Sequence, residues 1–331
     1  MRCRPLPYIA VACVWVLSAC AGSDDPVDAR ADPLPSWIAG APRSAILDFV
    51  ARVSDPAHAD FVPAPERIAV FDNDGTLIVE RPTIVQFEFV YQRIKALAPE
   101  HPEWATTQPF KAVLEDDREG LAAMGFRKRG DLVTYGQANI TQETFYAAAE
   151  AFLATGRHVR FDRPYTELVY QPMLELIRFL QASDFRVFIV SGGGIEFIRS
   201  FSEHIYGINR ENVIGSSMKY GLREIDGRLS IYRQPGWQSL NAGRFKPINI
   251  QLHIGRRPIL AVGNSDGDLD MLRFVADGKR PSLILLVHHD DAEREYAYAD
   301  ETAAARELAA QRGWQHISMA DDFRAVFAAR Q

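Results

Sequence analysis

The chain has 331 residues, with 37 Lys and Arg against 43 Asp and Glu, a formal charge of −6. That length accommodates one large domain or a core carrying an insert. The acidic balance leaves no electrostatic footprint for a phosphate backbone, so nucleic acid is excluded as a partner, and there is no internal repeat or low-complexity block.

The first stretch, "MRCRPLPYIAVACVWVLSAC", has Arg2 and Arg4, then an apolar run from Tyr8, then small residues before Cys20. About a dozen apolar residues are too few to span a bilayer, so residues 1–19 read as a signal peptide. Leu17-Ser18-Ala19-Cys20 resembles the lipobox of bacterial lipoproteins, which implies cleavage before Cys20 and lipid on that residue. The expected location is the bacterial cell envelope, lipid-anchored and facing the periplasm or cell exterior, with the membrane as a partner through Cys20. The three cysteines are Cys3, Cys13 and Cys20. The mature domain therefore has no internal disulfide, cysteine nucleophile or cysteine metal ligand. Without Arg2 and Arg4 there are 35 basic residues against 43 acidic ones, a formal −8. Residues 20–42, small, acidic and proline-bearing, read as a flexible tether.

Arg67–Phe71 reads as a short buried strand, followed at once by turn chemistry in "FDNDGTL". If extended geometry persists through Asp74, Asp72 and Asp74 face one spot and Asn73 turns away. Two like charges so close need a cation or a shared proton between them. A polar turn with Gly75 at positive φ explains the heptapeptide equally well. Helical spacing follows at Ile84, Phe87, Tyr91, Ile94 and Ala98, and residues 83–156 hold several helical stretches and no convincing strand. Phe145, Ala149 and Phe152 mark one helical face behind Thr141 as N-cap.

Near-continuous apolar runs at Phe185–Val190, Pro258–Val262 and Ser282–His288 are expected of strands buried on both faces of a parallel sheet. Helical spacing at Ile198, Phe201 and Ile205 stops at Gly207. Tyr220–Tyr232 reads as a hairpin turning at Asp226-Gly227. Ligands collect at the carboxyl edge of such sheets, so the strand ends matter most. One ends in Ser191-Gly192-Gly193-Gly194, an anion-sized turn opening a helix and not a Walker loop. The next ends in "GNSDGDLDML", with Asn264, Asp266, Asp268 and Asp270 crowded together. It lacks the Gly at position six and Glu at position twelve of a calcium loop. Lys246 stands alone between them, His288-His289-Asp290-Asp291 closes a later strand as a polar loop, and Arg127-Lys128-Arg129 reads as a solvated face.

Four of these points, in this order, resemble the haloacid dehalogenase (HAD) superfamily of phosphohydrolases: Asp72, Asp74 and Thr76; Ser191; Lys246; and Gly263–Asp268. The resemblance covers about Arg67 to Met271. It implies an α/β fold with a Rossmann-like parallel sheet (residues 43–82 and 160–331) and a helical cap (83–159) inserted after the first motif, similar to that of phosphoserine phosphatases. It also implies a magnesium-dependent phosphomonoesterase acting on a small phosphorylated substrate. Asp72 would be the nucleophile, forming an aspartyl-phosphate, and Asp74 the general acid and later base. Lys246 would neutralise charge, while Thr76, Ser191 and Gly192 would bind the phosphoryl oxygens. Magnesium would be held by Asp72, Asp74, Asn264 and Asp268. Asn264 replaces the family's usual acid, and the choice of ligand among Asn264, Asp268 and Asp266 stays open. So do transfer to a second hydroxyl in a mutase and a non-catalytic binding role. Asp74 argues against dehalogenase chemistry.

Overall fold

A computed structural model describes residues 32–329. The expected signal peptide, Cys20 and most of the expected tether lie outside them. Among the described residues, no helix is long and apolar enough to cross a membrane.

The tether ends earlier than expected. Leu34 and Trp37 are fully buried, Trp37 stands edge-on to Phe323 at 5.1 Å, and its Nε1–H donates to the Pro172 carbonyl at 2.9 Å. A helix begins at Ala41. Burying an indole with its N–H satisfied outweighs the linker-like proline content of this stretch.

Seven strands form one sheet: β1 (Ile68–Phe71), β2 (Arg186–Gly194), β3 (Val213–Ile225), β4 (Arg228–Ser239), β5 (Leu260–Gly263), β6 (Leu283–His288) and β7 (Gln315–Ser318). Their order is β4-β3-β2-β1-β5-β6-β7, parallel throughout except for the β3–β4 pair. The apolar runs are near-continuous because alternate residues enter two different cores. Ala69, Phe71, Ile189 and Val262 belong to one cluster, and Ile68, Val70, Val190 and Ala261 to the other. A sheet covered on both faces follows. The chain leaves β1 toward β2 on one side and later returns to β5 on the other, so the carboxyl ends of β1, β2 and β5 meet at the topological switch point.

Between β1 and β2, the described elements are helical. The expected apolar face lies on the helix Val85–Leu97, which buries Phe87, Tyr91 and Ile94. It packs on the helix Phe126–Gln137, where a Cβ at Gly136 would already touch Val90 Cγ1 at 3.3 Å. Thr141 caps the helix Gln142–Thr155, its Oγ1 accepting from the Thr144 N–H at 3.1 Å. Phe89 joins these helices to one another and to the core, with ring centroids 5.8 Å from Phe145, 5.5 Å from Phe152 and 5.3 Å from Phe197.

The hairpin turns at Asp226-Gly227, both at positive φ (50° and 71°), as a two-residue turn between twisted strands requires. Its arms are longer than the sequence suggests, and β3 pairs with β2 on its other side. Arg233 clasps the hairpin to the inserted helices. Its guanidinium lies 3.9 Å from the Phe145 ring centroid and donates to the Gln137 carbonyl at 3.0 Å. The expected helix through Ile198 and Ile205 is two short ones, Ile195–Arg199 and Ser202–Tyr206, with Gly207 left-handed at the stop.

Candidate active site

The carboxyl ends of β1, β2 and β5 open into a cavity of about 200 Å³, lined among others by Asp72, Asp74, Ser191, Gly192, Lys246 and Asp268. β1 ends at Phe71, and Asp72 continues its pairing with one bond, from its N–H to the Val262 carbonyl at 2.9 Å. The chain then wraps around the Asn73 carbonyl, which accepts from the N–H groups of Thr76, Leu77 and Ile78. Asp72 and Asp74 reach one cavity because of that turn, not because the strand persists. Asn73 faces away, its Oδ1 accepting from the Tyr206 hydroxyl at 2.9 Å.

Lys246, near the start of the helix Phe245–His253, is 3% exposed. Its Nζ donates to Asp72 Oδ1 at 2.6 Å and to Asp268 Oδ1 at 2.5 Å. Burial acts to lower the lysine pKa, but the facing carboxylates of Asp268 and Asp72 more than reverse it, and the ammonium stays charged. Two carboxylates share this one cation. Burial therefore pushes the Asp72 carboxyl well above its usual range, and the charge of Asp268 adds to the push. Asp74 rises to about 7, chiefly through burial and then through the charge of Glu80.

Asp268 is closed on both sides. Oδ1 is held by Lys246, and Oδ2 accepts from the N–H groups of Asn264 and Ser265 at 3.0 and 3.1 Å. It positions Lys246 and tightens the loop after β5. Asp266 turns away, its Oδ1 accepting from the Ala305 N–H at 2.7 Å. Thr76, expected to bind phosphoryl oxygens, has a different partner here. It is fully buried, and its hydroxyl donates to Asn264 Oδ1 at 3.1 Å, behind the cavity rather than into it.

Asn264 is the hinge of this region. Its Nδ2 donates to Glu80 Oε1 at 3.0 Å, and the Tyr298 hydroxyl donates to the same oxygen at 2.6 Å. Gly75, at φ +74°, gives these groups room: a Cβ there would lie 2.1 Å from Asn264 Nδ2. Burial raises the Glu80 carboxyl. His289 braces the same turn, with Nε2 2.8 Å from the Gly75 carbonyl and its ring stacked on Tyr298. It supports the turn after β1 from behind.

On the β2 side, Ser191 Oγ accepts from the Gly193 N–H at 2.9 Å. Ser216 Oγ donates to the Gly192 carbonyl at 2.9 Å, and Asn241 Nδ2 to the Ser191 carbonyl at 2.8 Å. Asn241 is fully buried, so this turn is held by side chains that no motif announces. The cavity walls come from Ile84, Gln86, Phe87 and Val133 of the inserted helices and from Trp237 of β4. A second cavity of about 660 Å³ adjoins it, lined by Arg81, Arg118, Arg129, Arg157 and Asn264 among others. Arg81, Arg118 and Arg157 pair with Asp300, Glu88 and Asp162. Arg129, expected on a solvated face, lies over the Phe87 ring at 5.1 Å.

Among the described residues, five carboxylates (Asp72, Asp74, Glu80, Asp268 and the exposed Glu301) and one ammonium line the cavity. Asp72 and Asp268 are buried with one lysine between them, a pair of like charges that a further cation would relieve. The hard oxygens near it suit magnesium, which binds through one or two carboxylates and keeps several waters. Among the described residues, no three His, Cys, Asp or Glu side chains converge as a metal group. A site built from one carboxylate, a main-chain carbonyl and an amide oxygen needs no such group.

A family model described as haloacid dehalogenase-like hydrolase matches residues 69–273. No curated protein matches the chain. A conserved, functionally unknown protein from Anaerococcus prevotii is 16% identical, with 87% of this chain and 96% of that one covered and a TM-score of 0.56. At that identity the likeness concerns the fold. A protein of unknown function from Bordetella pertussis is 15% identical over 76% of this chain and 98% of its own, with a TM-score of 0.49. A phosphoserine phosphohydrolase-like protein from Francisella tularensis is 16% identical over 73% and 99%, with a TM-score of 0.37.

Proposed function

The chain belongs to the haloacid dehalogenase-like hydrolases, and from that premise we propose that it is a magnesium-dependent phosphomonoesterase working through an aspartyl-phosphate. The observation that carries this reading is the Asp72–Lys246–Asp268 cluster at the floor of a cavity with too much negative charge for one lysine. Lys246 holds the Asp72 carboxylate in a fixed orientation, and Asp268 fixes Lys246 in turn. Asp72 attacks phosphorus while the ester bond breaks and the leaving oxygen takes a proton from Asp74. A carboxyl with a pKa of about 7 is substantially protonated at neutral pH and suits that donation. In the second displacement Asp74, now ionised, takes a proton from the water that attacks the aspartyl-phosphate, and phosphate leaves. Ser191 and Gly192 line the same cavity and would border the phosphoryl group. The Asp72 carboxylate and the Asp74 main-chain carbonyl would hold magnesium, and the Asn264 amide oxygen, which here accepts from the Thr76 hydroxyl, would join them through its second lone pair. When bound, magnesium would supply charge neutralisation for the phosphoryl oxygens.

A cavity of about 200 Å³ suits a small substrate, with Ile84, Phe87, Val133 and Trp237 around the leaving group. The test is phosphate release from a panel of phosphomonoesters, with magnesium and with excess chelator, in the presence and absence of an added alcohol acceptor. Magnesium-dependent release of free phosphate is expected. Undiminished turnover in chelator would rule the mechanism out, and transfer to the acceptor in place of release would make the protein a phosphotransferase. The lipid anchor at Cys20 belongs to the same proposal. Full-length protein is expected in the membrane fraction, and Cys20→Ser is expected to be unprocessed or soluble. Unmodified mature protein in the soluble fraction would refute the anchor.

A further inference from the structure

Gln86 is the second residue of the helix Val85–Leu97, and the motifs leave it unassigned. It lines the catalytic cavity and is only 7% exposed. Its two amide ends are treated differently. Oε1 accepts from the Gly194 N–H at 2.7 Å, which sets the orientation of the amide. Nε2 is buried and, among the described residues, has no hydrogen-bond partner. A buried amide nitrogen without an acceptor costs about 1–3 kcal/mol, so its retention calls for an acceptor that is present only some of the time.

The neighbourhood identifies that acceptor. A Cβ at Gly193 would lie 3.2 Å from Ser191 Oγ, 3.3 Å from Gln86 Oε1 and 3.5 Å from Asp74 Oδ2. Gln86 Oε1, the Ser191 hydroxyl and the proton donor proposed for the leaving oxygen thus surround one small space, and Nε2 of the same amide stands on its Gly194 side, 2.4 Å from the position of a Cβ there. The glycine turn itself has few donors left: the Gly193 N–H is spent on Ser191 Oγ and the Gly194 N–H on Gln86. From this geometry we infer that Gln86 binds the transferred phosphoryl group, taking up the Gly194 N–H at one end and presenting its own N–H bonds to a phosphoryl oxygen at the other. The inserted helix thereby completes the anion site that the β2 turn alone leaves short of donors. This rests on the phosphatase reading, but its test does not depend on turnover.

Two variants address it from opposite sides. Gln86→Leu removes the donor, along with the acceptor of the Gly194 N–H, and keeps the volume. Gly194→Ala leaves Gln86 in the chain but puts a Cβ 2.4 Å from Nε2, at a residue whose φ of −69° and ψ of 122° alanine readily adopts. Binding of inorganic phosphate to the magnesium-loaded protein is measured by calorimetry. In parallel, kcat/KM is measured on one aryl and one alkyl phosphate, with thermal unfolding as the control for folding. Both variants are expected to bind phosphate about tenfold or more weakly, the usual consequence of losing a hydrogen bond to a charged group. They are also expected to lose similar factors on both substrates, with magnesium-induced stabilisation retained. Unchanged phosphate affinity in either folded variant overturns the inference, leaving Gln86 as a tie between helix and turn. A loss confined to one substrate, with phosphate binding intact, also overturns it and assigns Nε2 to the leaving group. Wild-type protein that binds phosphate through Gln86 yet hydrolyses neither ester would instead refute the phosphatase reading alone.

Discussion

The floor and the walls of the cavity are built on different principles. On the floor, charged groups from β1, β5 and the helix Phe245–His253 are buried and interlocked: Lys246 bridges Asp72 and Asp268, and Asp268 also ties down the loop after β5. The walls are mostly apolar or aromatic side chains from the inserted helices and the β3–β4 hairpin, and among the described residues Gln86 Nε2 is a buried polar atom there without a partner. A fully engaged charged floor on rigid strand ends holds reacting groups to tight tolerances. Walls that mostly exclude water set which leaving group enters. Floor substitutions should therefore strike rate across all substrates, and wall substitutions should strike selectivity.

The largest effect is expected at Asp72. Asp72→Asn removes the nucleophile proposed above, so turnover of every ester should fall to background, a loss on the order of 10⁶-fold if it follows other nucleophile removals. Steady-state phosphate release measures it, and a surviving few per cent of activity would break the contrast. Asp74→Asn comes next and should separate substrates by leaving group. Loss of acid–base help costs about 10²–10⁴ in rate, and an alkyl phosphate needs the proton in its first step. An acidic phenol departs unaided, so rapid mixing should show a burst of phenol followed by slow turnover. Equal losses on both substrates without a burst would count against the assigned role.

Behind the floor, Glu80 orients Asn264. Glu80→Gln and Asn264→Ala should each weaken magnesium binding about 10- to 100-fold, as losses of supporting contacts at metal sites usually do. Calorimetric titration with magnesium reads this directly. The metal-free protein adds a dependence on pH. The Asp74 carboxyl is raised to about 7 from 3.8, so between those values the folded state holds a proton that the unfolded state has released. Stability falls as pH rises through that window. Asp74→Asn lacks this titration, and its Tm advantage over wild type should grow from pH 4 to pH 7 and then level off. A difference that stays constant with pH would show that Asp74 does not titrate as its burial implies. The smallest effect belongs to the wall: Trp237→Ala should raise KM for an aryl phosphate by about tenfold or less and leave kcat nearly unchanged.

How much of this was legible in the sequence follows the same division. The strands near the floor announce themselves because burial on both faces demands unbroken apolar runs, as in "FRVFIV" and "SLILLVH". β7, "QHIS", does not, because a short edge strand with one buried residue leaves no pattern. Asp72, Asp74, Ser191 and Lys246 could be found because their order along the chain is itself a signal. Thr76 and Asp268 were found, but their contacts differ from those expected: one hydroxyl and one carboxylate are consumed by Asn264 and Lys246. Glu80, Gln86 and Asn241 left no trace, since a single polar letter looks solvated until the fold buries it. Residues 33–42 misled in the opposite sense, because three prolines and small residues concealed the buried Leu34 and Trp37.

The most direct measurement of the central claim is to mix Asp74→Asn with magnesium and an aryl phosphate, quench in acid, and map the phosphate by mass spectrometry. The expected result is about one phosphate per chain, carried on Asp72 and absent from the Asp72→Asn/Asp74→Asn double variant. A phenol burst with no phosphate on Asp72, or phosphate on another residue, would contradict the account.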